Sequence, residues 1–189
     1  MEGNSIVQLK KGETILRNVL LSDIADYERW FHTETEWMDW DAPWEVWEDG
    51  EAEEFVKGIA ARVDQTPETF YRFEVATAGG EHIGWVSAYH MDDGGLAVGI
   101  DIPAFSSRGK GHGKRALQMF LTYLFEKTNR ETLYTQTWSG NTRMVRLAEA
   151  LGFAVCGRVK DCREVRGALY DGLTFSLQRA AANCFRDVF

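Results

Sequence analysis

The spacing of apolar and polar residues changes several times along the chain, and each change marks an element. From Glu13 to Leu20 the two kinds alternate weakly, which predicts a strand. Ser22 stands as an N-cap, and Leu21, Ile24, Ala25, Tyr27 and Trp30 recur at helical spacing. Thr33 to Gly50 keeps neither period. There Trp37, Met38, Trp40, Trp44 and Trp47 interleave with Glu34, Glu36, Asp39, Asp41, Glu45, Glu48 and Asp49. A helix is expected from Glu51 to Val63, with Pro67 closing the helical half.

Period two returns from Phe70 to Thr77, with Tyr71, Phe73 and Val75 on one side. Ala78-Gly79-Gly80-Glu81 is a hairpin turn signal. His82 to Met91 and Leu96 to Ile102 read as two more strands, joined through Asp92-Asp93-Gly94-Gly95, so an antiparallel meander is expected. A glycine-rich basic loop, Ser106 to Lys114, then opens a helix whose apolar face is Ala116, Leu117, Phe120, Leu121 and Leu124. Thr132 to Trp138 is β-branched and aromatic, a strand. Asn141 caps a short helix carrying Val145, Leu147, Ala148 and Leu151, ended by Gly152-Phe153. Ala154 to Lys160 and Leu169 to Gln178 complete the chain as strands. The order predicts one α/β domain over residues 1–189, with a mixed central sheet flanked by helices: an antiparallel meander plus a parallel pair.

Composition narrows the class. The chain has 189 residues, 44% hydrophobic and 26% charged, as in ordinary globular proteins. No apolar run approaches the roughly 18 residues of a membrane span, and Met1 to Ser5 lacks the pattern of a secretion signal. Cys156, Cys162 and Cys184 are odd in number and lack metal-ligand spacing, so reduced thiols in a cytoplasmic protein are expected, with no metal. A net charge of −8 argues against broad nucleic-acid binding.

The loop carries the chemistry. Close-set glycines admit a ligand to the backbone, and the helix that starts there leaves its first N–H groups unpaired. Those groups and the helix dipole suit a diphosphate, and Arg108, Lys110, Lys114 and Arg115 add charge. A P-loop is excluded, because Arg108 occupies the earlier glycine position and Arg115 the Ser/Thr position. The Rossmann fingerprint fits loosely as Gly111-x-Gly113-x-x-Ala116, with Glu131 about 20 residues on. Yet Glu131 precedes its strand instead of following it, and an antiparallel meander comes before the loop.

Arg108-x-x-Gly111-x-Gly113 resembles the acetyl-CoA pyrophosphate loop of the GNAT superfamily of N-acetyltransferases. Trp138-Ser139-Gly140-Asn141, then Leu147 and Gly152-Phe153, resembles that family's strand-then-Asn segment. Leu169-Tyr170-Asp171-Gly172-Leu173 is similar to the ribosomal-protein N-terminal and polyamine acetyltransferase branch. The likeness covers nearly the whole chain. It implies direct transfer from acetyl-CoA to an amine in a ternary complex. It also implies that amides from Gly109 through Lys110, Gly111, His112 and Gly113 to Lys114 hold the pyrophosphate, with His112 serving by its backbone only. Ile100-Asp101-Ile102 would offer free backbone groups to the pantetheine and oxyanion, and Asn141 would contact the pantetheine arm.

Two positions depart from the family. Ala148 stands where many members have a Tyr acid, and Met144 where the ribosomal branch has a Ser. That branch also has a Glu before its last strand. Counting back from Tyr170-Asp171 reaches Glu164, and counting forward from Gly152 reaches Arg163. Glu164 is the first candidate base, with Asp101, Glu74 and Tyr134 behind it.

The acceptor cleft of this superfamily lies by the segment that here is rich in Trp and acids. Trp37, Trp40 and Trp44 with their neighbouring carboxylates would suit a cationic amine: a polyamine, an aminoglycoside-like compound or a peptide N-terminus. The alternative is that the Trp residues are core and the acids a solvated face. A non-catalytic acyl-CoA-binding module and an NAD-dependent oxidoreductase are the competing classes. The tail from Ala180, with Phe185, Val188 and Phe189, would dock on the core or on a second copy in a homodimer.

Overall fold

The computed structural model describes residues 8–65, 69–183 and 185. Pro67, Cys184, Val188 and Phe189 therefore lie outside the described residues. The chain opens with a hairpin of β1 (Gln8–Lys11) and β2 (Thr14–Arg17), in register Lys11 to Thr14. The weak alternation from Glu13 thus marks only the second of two short strands. Arg17 ends β2 by reaching Asp23, at 2.6 and 2.8 Å. Asp23 also accepts the Leu20 N–H at 2.8 Å, so Asp23 and not Ser22 organises the start of α1 (Ile24–His32). The buried face of α1 is Tyr27, Trp30 and Phe31, while Leu21 is exposed.

After a 3-10 turn at Thr35–Asp39 the Trp-rich segment runs without regular structure to α2 (Glu51–Ala60), three residues shorter than its sequence pattern suggested. β3 (Arg72–Thr77), β4 (His82–His90) and β5 (Leu96–Asp101) form the expected meander. β3 begins two residues late, leaving Tyr71 exposed, while Phe73 and Val75 pack inward, Phe73 edge-on to Phe120 and Tyr123. Then follow α3 (His112–Lys127), β6 (Thr132–Trp138), α4 (Thr142–Ala150), β7 (Ala154–Val165), β8 (Ala168–Gln178) and a short α5 (Arg179–Ala182).

The eight strands make one sheet in the order β1-β2-β3-β4-β5-β6-β8-β7. Every neighbour is antiparallel except β5 and β6. That parallel pair is in register only at Ala97 and Tyr134. One residue farther along, the Thr135 hydroxyl donates to Val98 O at 2.8 Å. Beyond it the strands part, and backbone groups of β5 from Gly99 onward lose their ladder partners on that side. α3 packs across β1 and β2, and α1 pairs with α2. Phe185 is buried in the same core, so that part of the tail docks on its own chain. Among the described residues no helix is long and apolar enough to cross a membrane.

Candidate active site

Where β5 and β6 part, a cleft of about 1140 Å³ opens. One wall is the loop before α3. Gly109 and Gly111 hold φ of 73° and 81°, a left-handed backbone that side chains disfavour, and Gly111 is the N-cap of α3. The first helical bond at this end is Arg115 N–H to Gly111 O, at 3.2 Å. The N–H groups of His112, Gly113 and Lys114 have no carbonyl within the helix to meet, and they gather at a dipole end suited to diphosphate.

The side chains of this loop are mostly structural. Arg108 donates to the carbonyls of Ile102 (2.7 Å) and Pro103 (3.0 Å) and pairs with Glu36, tying the loop to the end of β5. Arg115 donates to Thr14 Oγ1 at 2.8 Å and to Lys110 O at 3.0 Å. His112 turns inward, with Nδ1 2.9 Å from Thr14 Oγ1. Burial, then the charges of Arg115 and Lys110, lowers its pKa. Its Nδ1 thus helps seat α3 on β2. Gly109, Gly111, His112 and Gly113 line the cleft with Ile100, Asp101, Ile102 and Arg108, whereas Lys110 and Lys114 flank it.

The opposite wall is the Trp-rich segment, held as a strap. Trp138 donates its indole N–H to Trp40 O (3.0 Å) and Asp41 O (3.1 Å). Asn141 donates to Trp40 O at 2.6 Å while its Oδ1 accepts from Met144 N–H at 3.0 Å, capping α4. Asn141 also lines the cleft, and its Nδ2 carries a second hydrogen. Asp39 pairs with Arg166 at 2.8 Å. Tyr170 packs edge-on to Trp138, and Asp171 exchanges bonds with Ser139 at 2.8 and 3.0 Å. The resemblance-bearing motifs around Trp138 and Tyr170 therefore brace one another.

The three tryptophans expected at the acceptor differ in role. Trp37 is core: it is buried, donates to Trp30 O at 3.0 Å and packs edge-on to Phe31 and Trp85. Trp37 still reaches the cleft wall, as do Trp40 and Trp44, and a resident arginine lies against the ring of each of the last two. Arg143 sits 3.9 Å from the Trp40 centroid and Arg163 4.6 Å from that of Trp44. One cation of the chain itself thus already lies against each ring.

What does face the cleft is acid. Asp41, Glu45 and Asp101 line it with Tyr89. Burial, then the charge of Asp41, pushes the Asp101 carboxyl well above its ordinary pKa, against the opposing pull of Arg72 and Trp85. Burial and Glu45 raise Asp41, and burial and Asp41 raise Tyr89. Asp41 lay among six similar acids of the strap, and no periodicity distinguished it. Glu164 stands exposed on β7 outside the cleft, whereas its neighbour Arg163 lines it. Glu74 is buried under α1, and Tyr134 is likewise absent from the cleft wall. Ala148 is fully buried and Met144 lines the cleft, so neither departure from the family is made good locally. Asp23, Asp26 and His82 are close enough to hold a metal, but they lie outside this cleft and Arg17 already binds both Asp23 oxygens.

The model of the acetyltransferase (GNAT) domain matches residues 13–154. The chain belongs to the GNAT acetyltransferase family. Within this family of acyltransferases, the chain is 27% identical over 117 residues to the SPbeta prophage-derived uncharacterized N-acetyltransferase YokL of Bacillus subtilis (strain 168). That match spans 61% of this chain and 66% of the relative, just under two thirds of its length. The ribosomal-protein-S5-alanine acetyltransferase of Vibrio fischeri superposes with a TM-score of 0.72 at 19% identity, over 91% of this chain and 96% of that one. RimJ of Mycobacterium smegmatis, solved in complex with CoA-disulfide, gives 0.71 at 20% identity, over 96% and 93%. These superpositions place the fold among GNAT structures.

Proposed function

We propose that this GNAT protein transfers an acetyl group from acetyl-CoA to a primary amine on a cationic acceptor, in a ternary complex inside the cleft. The reading is carried by one arrangement: a bare helix N-terminus and a pocket of carboxylates are two walls of a single cleft, with unpaired backbone of β5 between them. An anion belongs at the first wall and a cation at the second. The amides of Gly111 to Lys114 hold the pyrophosphate. Asn141 and the free edge from Gly99 to Ile102 hold the pantetheine arm, and β5 N–H groups steady the oxyanion.

Asp101 takes the proton that the ammonium must lose. Burial raises its affinity for a proton above that of an ordinary carboxylate, which suits it to the role of base. The neutral nitrogen bonds to the thioester carbon, the carbon–sulfur bond breaks, and the second nitrogen proton leaves with the thiolate. Asp41 and Glu45 bind the acceptor's positive charge. The ribosomal-protein acetyltransferase among the structural neighbours makes a peptide N-terminus the first acceptor to try. We place the reaction in the cytoplasm, which free thiols at Cys156 and Cys162 suit.

The test is calorimetry with acetyl-CoA, Gly111→Trp as control and NAD as competitor, followed by an amine screen. Micromolar binding that the substitution abolishes and NAD does not disturb is the expected result. Absence of binding by the unaltered protein would refute the cofactor, and turnover only with neutral or anionic amines would refute the acceptor class. Tight binding without turnover on any amine would favour the non-catalytic acyl-CoA module.

A further inference from the structure

Asp101 ends a row of side chains that crosses four strands. Arg17 of β2 stands opposite Glu74 of β3, Glu74 opposite Trp85 of β4, and Trp85 opposite Asp101 of β5. Directly paired residues share a sheet face, here the face against which Tyr27 and Trp30 of α1 pack. Arg72 lies two residues before Glu74 and so points the same way. Its guanidinium carbon is 4.8 Å from the Trp85 ring centroid. It donates to Tyr27 Oη at 2.5 Å and to Glu74 Oε1 at 3.4 Å. Glu74 also accepts the Tyr27 hydroxyl at 2.6 Å and lies 3.0 Å from His82 Nε2. The side chains of Arg72 and Glu74 are only 10% and 2% exposed.

Rings of Tyr27, Phe55 and Trp85 surround this guanidinium. A core so aromatic gains little stability from an enclosed ion pair, because desolvation offsets the attraction and apolar side chains of similar size serve as well. The pair therefore calls for a role beyond packing, and its nearest element of function is Asp101. We propose that Arg72, fixed by Glu74 and Tyr27, is a positioning residue for Asp101: stacked on Trp85, it braces the indole beside the Asp101 carboxyl and supplies a positive charge that favours the carboxylate form able to accept the substrate's proton. The proposal rests on Asp101 being the base.

Burial and Asp41 both favour the protonated form of Asp101, and Arg72 is the cation that opposes them. The charged and titratable groups around this centre are Arg72 and Glu74 on β3, His82 on β4, Tyr27 on α1, and Asp41 with Glu45 on the strap. Trp85 transmits position, not charge. Arg72 reaches no substrate itself, since it does not line the cleft.

The test is the titration of Asp101, followed by ¹³C NMR of its side-chain carboxyl and assigned with Asp101→Asn. Arg72→Lys keeps the charge. Arg72→Gln removes it but strands Glu74 in the core, so Arg72→Gln/Glu74→Gln is made as well, leaving two neutral amides and no orphaned charge. The midpoint should move to higher pH in the double variant and stay near the native value in Arg72→Lys. The acidic limb of kcat/KM, measured with the amine found in the screen, should move with it, giving several-fold loss below the limb and recovery above it. Equal midpoints in the native protein and the double variant would overturn the proposal whatever the activity does. A displaced midpoint with full turnover in Asp101→Asn would overturn the base assignment, and with it the positioning role.

Discussion

Gly140→Ala tests how the strap is held, and its cost can be worked from the structure. A Cβ at residue 140 would lie 1.8, 2.4 and 2.5 Å from Cζ3, Cε3 and Cη2 of Trp138. Carbon atoms in contact need about 3.5 Å. The ring is no flexible end that can swing aside, because Trp138 is 5% exposed and its N–H is shared by Trp40 O and Asp41 O. Gly140 has no left-handed φ, so without the clash alanine would stabilise the chain by about 0.4–1 kcal/mol. With it, the indole must leave. Losing the donor costs about 1 kcal/mol, and exposing much of the ring about 2 kcal/mol. A net loss of about 2 kcal/mol is expected in urea unfolding, together with a raised KM for the acceptor as Asp41 comes loose. In a Trp138→Ala background the same substitution should instead stabilise the chain by about 0.4–1 kcal/mol, because the clashing atoms are gone. Equal costs in the two backgrounds, or a cost below about 1 kcal/mol in the native one, would refute the account of the strap.

Asp101→Asn should abolish turnover and yet stabilise the fold at alkaline pH. The folded pKa of Asp101 is raised, so the native state binds its proton more tightly than the unfolded chain does; that contribution is present below the unfolded pKa and is lost as pH rises through the folded one. The variant's advantage in urea unfolding should therefore be larger at pH 8 than at pH 4, and a difference flat with pH would contradict the burial of this carboxylate. Glu164→Gln should leave kcat and KM for both substrates unchanged, since Glu164 lies outside the cleft; a large drop in kcat would return it to the candidate base. Cutting the exposed Asp39–Arg166 pair with Arg166→Ala should cost less than about 1 kcal/mol, as exposed ion pairs do, read from the same unfolding curves.

Much of the architecture was legible in the chain because its signals are local. The Thr132–Trp138 strand, the Asn141 cap and the start of α3 after Gly111 follow from β-branching, side-chain capping and glycine placement, each acting within a few residues. Where neighbours in space take over, the sequence pattern misled. Ser22 looks like a cap, but Arg17 and the Leu20 N–H recruit Asp23 instead. The β1–β2 hairpin was half visible because its strands have four residues each and their partners lie elsewhere in the sheet.

The loop wall of the cleft could be read from sequence for the same reason: glycines that open a helix leave its first N–H groups free wherever they sit. The acceptor side could not. That Trp37 is buried in the core behind the cleft wall, that arginines from α4 and β7 lie against Trp40 and Trp44, and that Asp101 and not Glu164 lies among the cleft acids are all decided by contacts between residues far apart in the chain. Composition supplied the aromatic rings, the carboxylates and the arginines. Only the packing of strap, sheet and hairpin settled which of them neutralise one another and which are left facing the cleft, because charge and burial are properties of neighbours in space and not of position along the chain.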